Sequence, residues 1–145
     1  MTATSPEGSL PASLGFTFST RPVHQLFLGD DAVTKYLISF PASAMNVPSE
    51  DMAAVGEAAR SVIREAKGAG VYVFGGGIDS SIPPVLVGPD GTTINETYPQ
   101  TRTFDGGFCV LELPSREAAV LWAARIAKAC RCSQELREFG FDPES

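Results

Sequence analysis

The chain has 145 residues, an apolar fraction of 43%, a charged fraction of 19% and a formal net charge of −6. This is enough for one ordinary domain with a real core, and the composition is that of a folded chain and not of a disordered one. The acidic balance argues against a nucleic-acid partner, because holding a phosphate backbone draws on a basic surface, and no apolar run approaches the ~20 residues that cross a bilayer.

Residues 1–32 stand apart. Met1 to Ser13 is rich in Ser, Thr, Pro and Gly without an apolar period, which predicts a flexible or draped extension. Val23-His24-Gln25-Leu26-Phe27-Leu28-Gly29 is apolar enough to dock, for instance as an extra edge strand. The basic n-region and apolar core of a secretory signal are missing, so the chain is expected to be cytoplasmic. Three cysteines, one of them in a core strand, do not make a disulfide framework. Cys130-Arg131-Cys132 lacks the further ligands of a structural zinc site, so neither a metal nor a cofactor is expected.

The domain proper is expected over residues 33–141, with a short tail at 142–145. Val33 to Phe40 is β-branched and aromatic and stops at Pro41, which predicts a strand with faces Tyr36/Ile38/Phe40 and Lys35/Leu37/Ser39. Ser49 is a candidate N-cap followed by Glu50 and Asp51 in the first turn. Met52, Val55, Ala59, Val62, Ile63 and Ala66 then recur at helical spacing, with Lys67 near the negative end and Gly68 or Gly70 as the stop. Val71 to Phe74 predicts a second strand, closed by a turn at Gly75-Gly76-Gly77. That run is not a nucleotide loop, because Pro83 and Pro84 prevent the helix that would have to follow.

Val85-Leu86-Val87 and Thr92-Thr93-Ile94 flank Gly88-Pro89-Asp90-Gly91, a hairpin signal. A polar link, residues 95–103, leads to Phe108-Cys109-Val110-Leu111, a continuous apolar run suited to a strand covered on both faces. Pro114-Ser115 ends that strand and caps a helix whose stripe is Ala119, Trp122, Ala123, Ile126 and Cys130, with Trp122 read as core. Ser133 to Gly140 closes the chain as a charged edge strand.

The order β-α-β, hairpin, β-α-β predicts an α+β fold of the ferredoxin-like βαββαβ plan with an inserted hairpin, helices covering one face of an antiparallel sheet. The second face carries too much apolar surface for a monomer. A homodimer through that face, a dimeric α+β barrel, is therefore expected.

Lys35-Tyr36-Leu37, Ala69-Gly70-Val71, Gly106-Gly107-Phe108 and above all Trp122-Ala123-Ala124-Arg125-Ile126 together resemble the YCII-related superfamily, specifically its DGPF-type branch, over roughly residues 34–140. The resemblance implies a dimeric α+β-barrel relative. The signature Asp-Gly-Pro-Phe is replaced here by Asn95-Glu96-Thr97-Tyr98, and the run after it by Pro99-Gln100-Thr101-Arg102-Thr103. The His–Asp pair proposed for YCII-like proteins falls at about Ala59 and within Ile126-Ala127-Lys128, so neither partner is present. The resemblance thus implies fold and dimer more than chemistry.

Candidate site residues follow from the sheet face and the loop before the third strand. Asp105 and Glu112 are the candidate catalytic carboxylates, with Glu96 an alternative base to Asp105. Glu112 shares a face with Phe108 and Val110, where it either pairs with a neighbouring cation or enters a pocket. Arg102, Tyr98, Tyr36, Phe74 and Phe108 are the candidate substrate-binding residues, with Arg102 holding an anionic group or remaining a solvated loop residue. His24, the one imidazole, lacks a placed partner. The expected function is a homodimeric small-molecule binding or interaction module. The alternative is a cofactor-free enzyme of proton-transfer, isomerase or lyase type, acting on a small anionic or polyketide-like substrate.

Overall fold

The computed structural model describes residues 33–145. His24, the stretch Val23–Gly29 and the expected N-terminal extension lie outside the described residues. Among the described residues, six strands and two α-helices follow in the order β1 (Thr34–Phe40), α1 (Met52–Gly68), β2 (Tyr72–Gly77), β3 (Leu86–Val87), β4 (Thr93–Ile94), β5 (Gly107–Leu113), α2 (Arg116–Cys130) and β6 (Glu135–Glu138). The fold is α+β. Its main sheet has the order β2-β5-β1-β6, antiparallel throughout, and β3 and β4 form a separate hairpin.

Alternation along β1 and β5 divides the sheet into two faces. Tyr36 opposes Leu111 and Ile38 opposes Cys109, and all four are buried with Leu113 in the core. Ala66 of α1 and Ala119, Ala123, Ile126 and Cys130 of α2 complete that core. Ile38, Leu111 and Leu113 are its largest fully buried side chains. Each contributes roughly 1.5–3 kcal/mol of apolar burial. The alanines let the two helices lie close, and the ion pairs Arg125–Glu65 and Arg131–Asp51 bridge them outside the core.

The strand and helix expectations hold in kind, with corrections at their ends. Pro48 is followed by a 3-10 turn over Ser49–Asp51, so α1 begins at Met52 after Asp51 and Ser49 does not cap it through its side chain. Gly70, at φ 76°, supplies the left-handed residue beyond α1. The glycine run is strand and not turn. Gly75, Gly76 and Gly77 pair with Cys109, Phe108 and Gly107, after an irregularity between Tyr72 and Phe74. Ser115 caps α2 as expected, its Oγ accepting from the Ala118 amide at 3.1 Å.

The junction before β5 is the tightest part of the backbone. A Cβ on Gly106 would lie 2.0 Å from the Phe40 carbonyl oxygen, and one on Gly107 would lie 2.6 Å from the Phe40 ring. The Asp105 carboxylate accepts from the Ala42 amide at 3.0 Å, and the Gly106 carbonyl accepts from the Ile78 amide at 2.9 Å. The exit of β1, the exit of β2 and the entry of β5 are thereby tied at one point.

Candidate functional site

The second sheet face, away from the helices, is built from cross-strand rows fixed by register. One row is Phe74–Val110–Leu37–Arg137, and the next is Gly76–Phe108–Ser39–Glu135. A third places Glu112 opposite Lys35, whose Nζ lies 3.4 Å from the carboxylate and also donates to the Ser145 main-chain oxygen at 3.1 Å. Arg137 and Glu135 pair at 3.0 Å along the β6 edge. The face is thus an apolar strip with the Lys35–Glu112 pair in the row along one side and the Arg137–Glu135 pair at its β6 end. Phe74 is 64% exposed on it. Phe108 stands between Gly76 and Ser39, which leaves room for Phe104 to pack edge-on against it, with ring centroids 4.4 Å apart.

The candidate residues divide on this frame. Phe74, Phe108 and Glu112 share the open face. Tyr36 does not: it points to the helices, is 3% exposed and belongs to the core. Glu112 has Lys35 as its neighbour, the first of the two arrangements expected for it. Asp105 lies seven positions before Glu112, ahead of the strand that carries it, about 23 Å away at ~3.3 Å per residue of extended chain. The two carboxylates therefore do not converge on one substrate atom. Asp105 holds a backbone amide, and this bond, with Gly106 beside it, gives it a structural task. Tyr98 is exposed on a link that forms a 3-10 turn over Pro99–Thr101, and Arg102 follows that turn without an ion pair among the described residues. Glu96 is exposed on the same link.

Two features escaped sequence reading. Trp122 is half-buried, packed against the margin of the core, with the Arg125 guanidinium over its ring at 4.3 Å. Beside it, Ala118, Leu121, Ala124 and Lys128 complete a shallow groove of about 540 Å³ on the outer side of α2. The exposed Leu121, off the buried stripe, was the available signal. The thiols are free. Burial pushes Cys109 up to about 11. Burial also raises Cys130, aided by nearby Cys132, and raises Cys132 against the opposing pull of its Gln134 contact. Thiols held neutral in this way are poor nucleophiles. Among the described residues no three His, Cys, Asp or Glu side chains gather into a metal site, and no helix is long and apolar enough to cross a membrane.

Comparison with known proteins gives no matching family model and no matching curated protein.

Proposed function

We propose that this chain is a YCII-related protein of ferredoxin-like plan that works as a homodimeric binding or interaction module, two copies meeting through the open sheet face. The observation that carries the reading is the strip Phe74–Val110–Leu37, with Phe108 beside it, which no helix among the described residues covers. Contiguous apolar surface of this kind marks a docking or ligand face. The strand order β2-β5-β1-β6 with both helices against one face supports the ferredoxin-like plan. Ion pairs along one side of the strip and at its β6 end would set the register of two identical faces and partly rim any small apolar or anionic ligand enclosed between them. Reduced thiols suit a cytoplasmic setting.

A cofactor-free enzyme of proton-transfer, isomerase or lyase type is the second reading. The Lys35–Glu112 pair beside the apolar strip favours it, with Glu112 as base and Arg102 as the anion-holding group. Against it stand the structural bond of Asp105 and its distance from Glu112.

Light scattering at micromolar concentration tests the reading. A mass near twice 15.3 kDa is expected, falling to the single-chain value in Phe74→Asp. A monomeric wild type, or a Phe74→Asp variant that stays dimeric, would overturn it. Saturable binding of the apolar anion 1-anilinonaphthalene-8-sulfonate by the native dimer, weakened in Phe108→Ala, would distinguish a ligand module from a pure interaction module.

A further inference from the structure

Cys130 is the last residue of α2, and Cys132 stands two positions later on the link into β6. In a continuous right-handed helix, residues two apart lie about 200° from each other around the axis, so two such thiols point to opposite sides. Here the residue between them breaks the helix. Arg131 takes φ 59° and ψ 35°, the left-handed conformation, and the Cys132 amide donates back to the Ala127 carbonyl at 3.2 Å. That bond closes a Schellman turn. Burial shows the result. Cys130 is 5% exposed and belongs to the core, and half-buried Cys132 packs against the same cluster. The exposed Arg131 side chain meanwhile reaches out to Asp51.

The spacing of the two cysteines is that of a disulfide. Helical dihedrals of either hand hold the Cα atoms of residues i and i+2 about 5.5 Å apart, and bonded cysteines most often stand ~5.5–6 Å apart. Both thiols are free. They also sense each other, since charge on Cys132 disfavours ionisation of Cys130. Of the pair, Cys132 is the one that solvent reaches. The Gln134 side-chain amide donates to its Sγ at 3.6 Å and to its carbonyl at 3.3 Å, and the contact to sulfur favours the thiolate. Cys109 lies apart, in the sheet opposite Ile38.

We propose that Cys130 and Cys132 form a reversible dithiol–disulfide site that is oxidised by a small-molecule disulfide. The Cys132 thiolate attacks one sulfur of that disulfide, giving a mixed disulfide and releasing the first small thiol, which takes up the proton lost from Cys132. The Cys130 thiolate then attacks the Cys132 sulfur. The Cys130–Cys132 bond forms, and the second small thiol leaves with the proton from Cys130. Two protein thiols are oxidised, one small disulfide is reduced to two thiols, and no other reactant enters. Closure ties the end of α2 to the link into β6. Burial favours the neutral, reduced pair, so the bond reopens readily in a reducing setting.

The test incubates the full chain at pH 8 with excess oxidised glutathione, quenches with acid, alkylates in denaturant and cleaves after glutamate, which keeps both cysteines within residues 118–135. Of the three cysteines, Cys109 alone should be alkylated, and the 118–135 peptide should be lighter by two hydrogens. Cys130→Ser should stop at a glutathione adduct on Cys132. In Cys132→Ser, buried Cys130 should react at least about tenfold more slowly than Cys132 does in the wild type. Non-glycine residues adopt the left-handed conformation in only a few per cent of cases. The turn already made in the folded chain should therefore raise the ratio of closed disulfide to glutathione adduct at least about tenfold over the chain in denaturing urea. The wild-type measurements decide the matter even if a variant fails to fold. Survival of all three thiols, a lasting Cys132 adduct beside a reduced Cys130, a bond from either cysteine to a second chain, or a ratio no higher in the folded chain would each overturn the proposal.

Discussion

Replacing Gly106 by alanine is the sharpest test of how the sheet is held together. The added Cβ would meet the Phe40 carbonyl oxygen at 2.0 Å, the Ala42 nitrogen at 2.8 Å and the Pro41 carbonyl carbon at 2.8 Å. All three are backbone atoms, so no side chain can swing aside. Relief requires β1 and β5 to part by more than about 1 Å, since carbon–oxygen contacts close up only to ~3.3 Å. That movement would break the Ala42–Asp105 and Ile78–Gly106 bonds, each contributing roughly 1 kcal/mol. Adding overpacking strain of roughly 1–3 kcal/mol gives an expected loss of about 3–5 kcal/mol. Urea unfolding followed by the fluorescence of Trp122, the one tryptophan, would show it as a midpoint lowered by about 1 M or more at fixed protein concentration. Gly76→Ala is the control, because its Cβ meets nothing within 4 Å. It should stay within about 1 kcal/mol of wild type. A Gly106→Ala protein as stable as the control would refute the close-approach argument.

Asp105→Asn keeps an oxygen acceptor for the Ala42 amide and should cost under ~0.5 kcal/mol, whereas Asp105→Ala should cost about 1 kcal/mol; equal losses would mean that the acceptor is not what matters. Leu111→Ala should lose roughly 2–5 kcal/mol from the fully buried centre of β5, against a change within ~0.5 kcal/mol for exposed Leu121→Ala. In alkylation by iodoacetamide at pH 8, Cys132 should react first and Cys109 last. Raising its pKa from 9.0 to about 11 cuts the Cys109 thiolate fraction about a hundredfold. The sign follows from burial favouring the neutral thiol: protection is complete below about pH 9 and is lost as the pH climbs toward 11. Comparable rates for Cys109 and Cys132 at pH 8 would contradict this.

Much of the fold was legible because burial and period agree in the central elements. The alternation of Tyr36/Ile38 against Lys35/Leu37, the stripe through Ala119 and Ile126 and the Ser115 cap each follow from local chemistry that the tertiary structure leaves undisturbed. The glycine run was not legible. Glycine carries no strand preference of its own, so the pairing of Gly75–Gly77 was settled by β5, thirty residues further along the chain. The start of α1 was missed because Pro48 admits a 3-10 turn before the helix, and spacing does not separate the two. The site was legible in part. Alternation placed Glu112 on one face with Phe108 and Val110, and the pairing of Phe74 with Val110 adds Phe74 to it, yet Tyr36, one register step away from Leu37, belongs to the core. Asp105 looked like a free carboxylate because its partner is a backbone amide, which leaves no mark in the sequence.

Arg131 occupies the left-handed position at the end of α2, φ 59°, where glycine is the usual choice. Its guanidinium reaches Asp51 at the foot of α1 at 2.9 Å. One residue thus answers two demands that pull its identity apart: a backbone turn that disfavours any side chain, and a clasp between helices that requires a long one. Glycine would ease the first and abolish the second, so Arg131→Gly should leave stability nearly unchanged while loosening the helix pair. A chain of this fold that carries glycine there should also be released from keeping an acid at position 51, so drift at one position would license drift at the other.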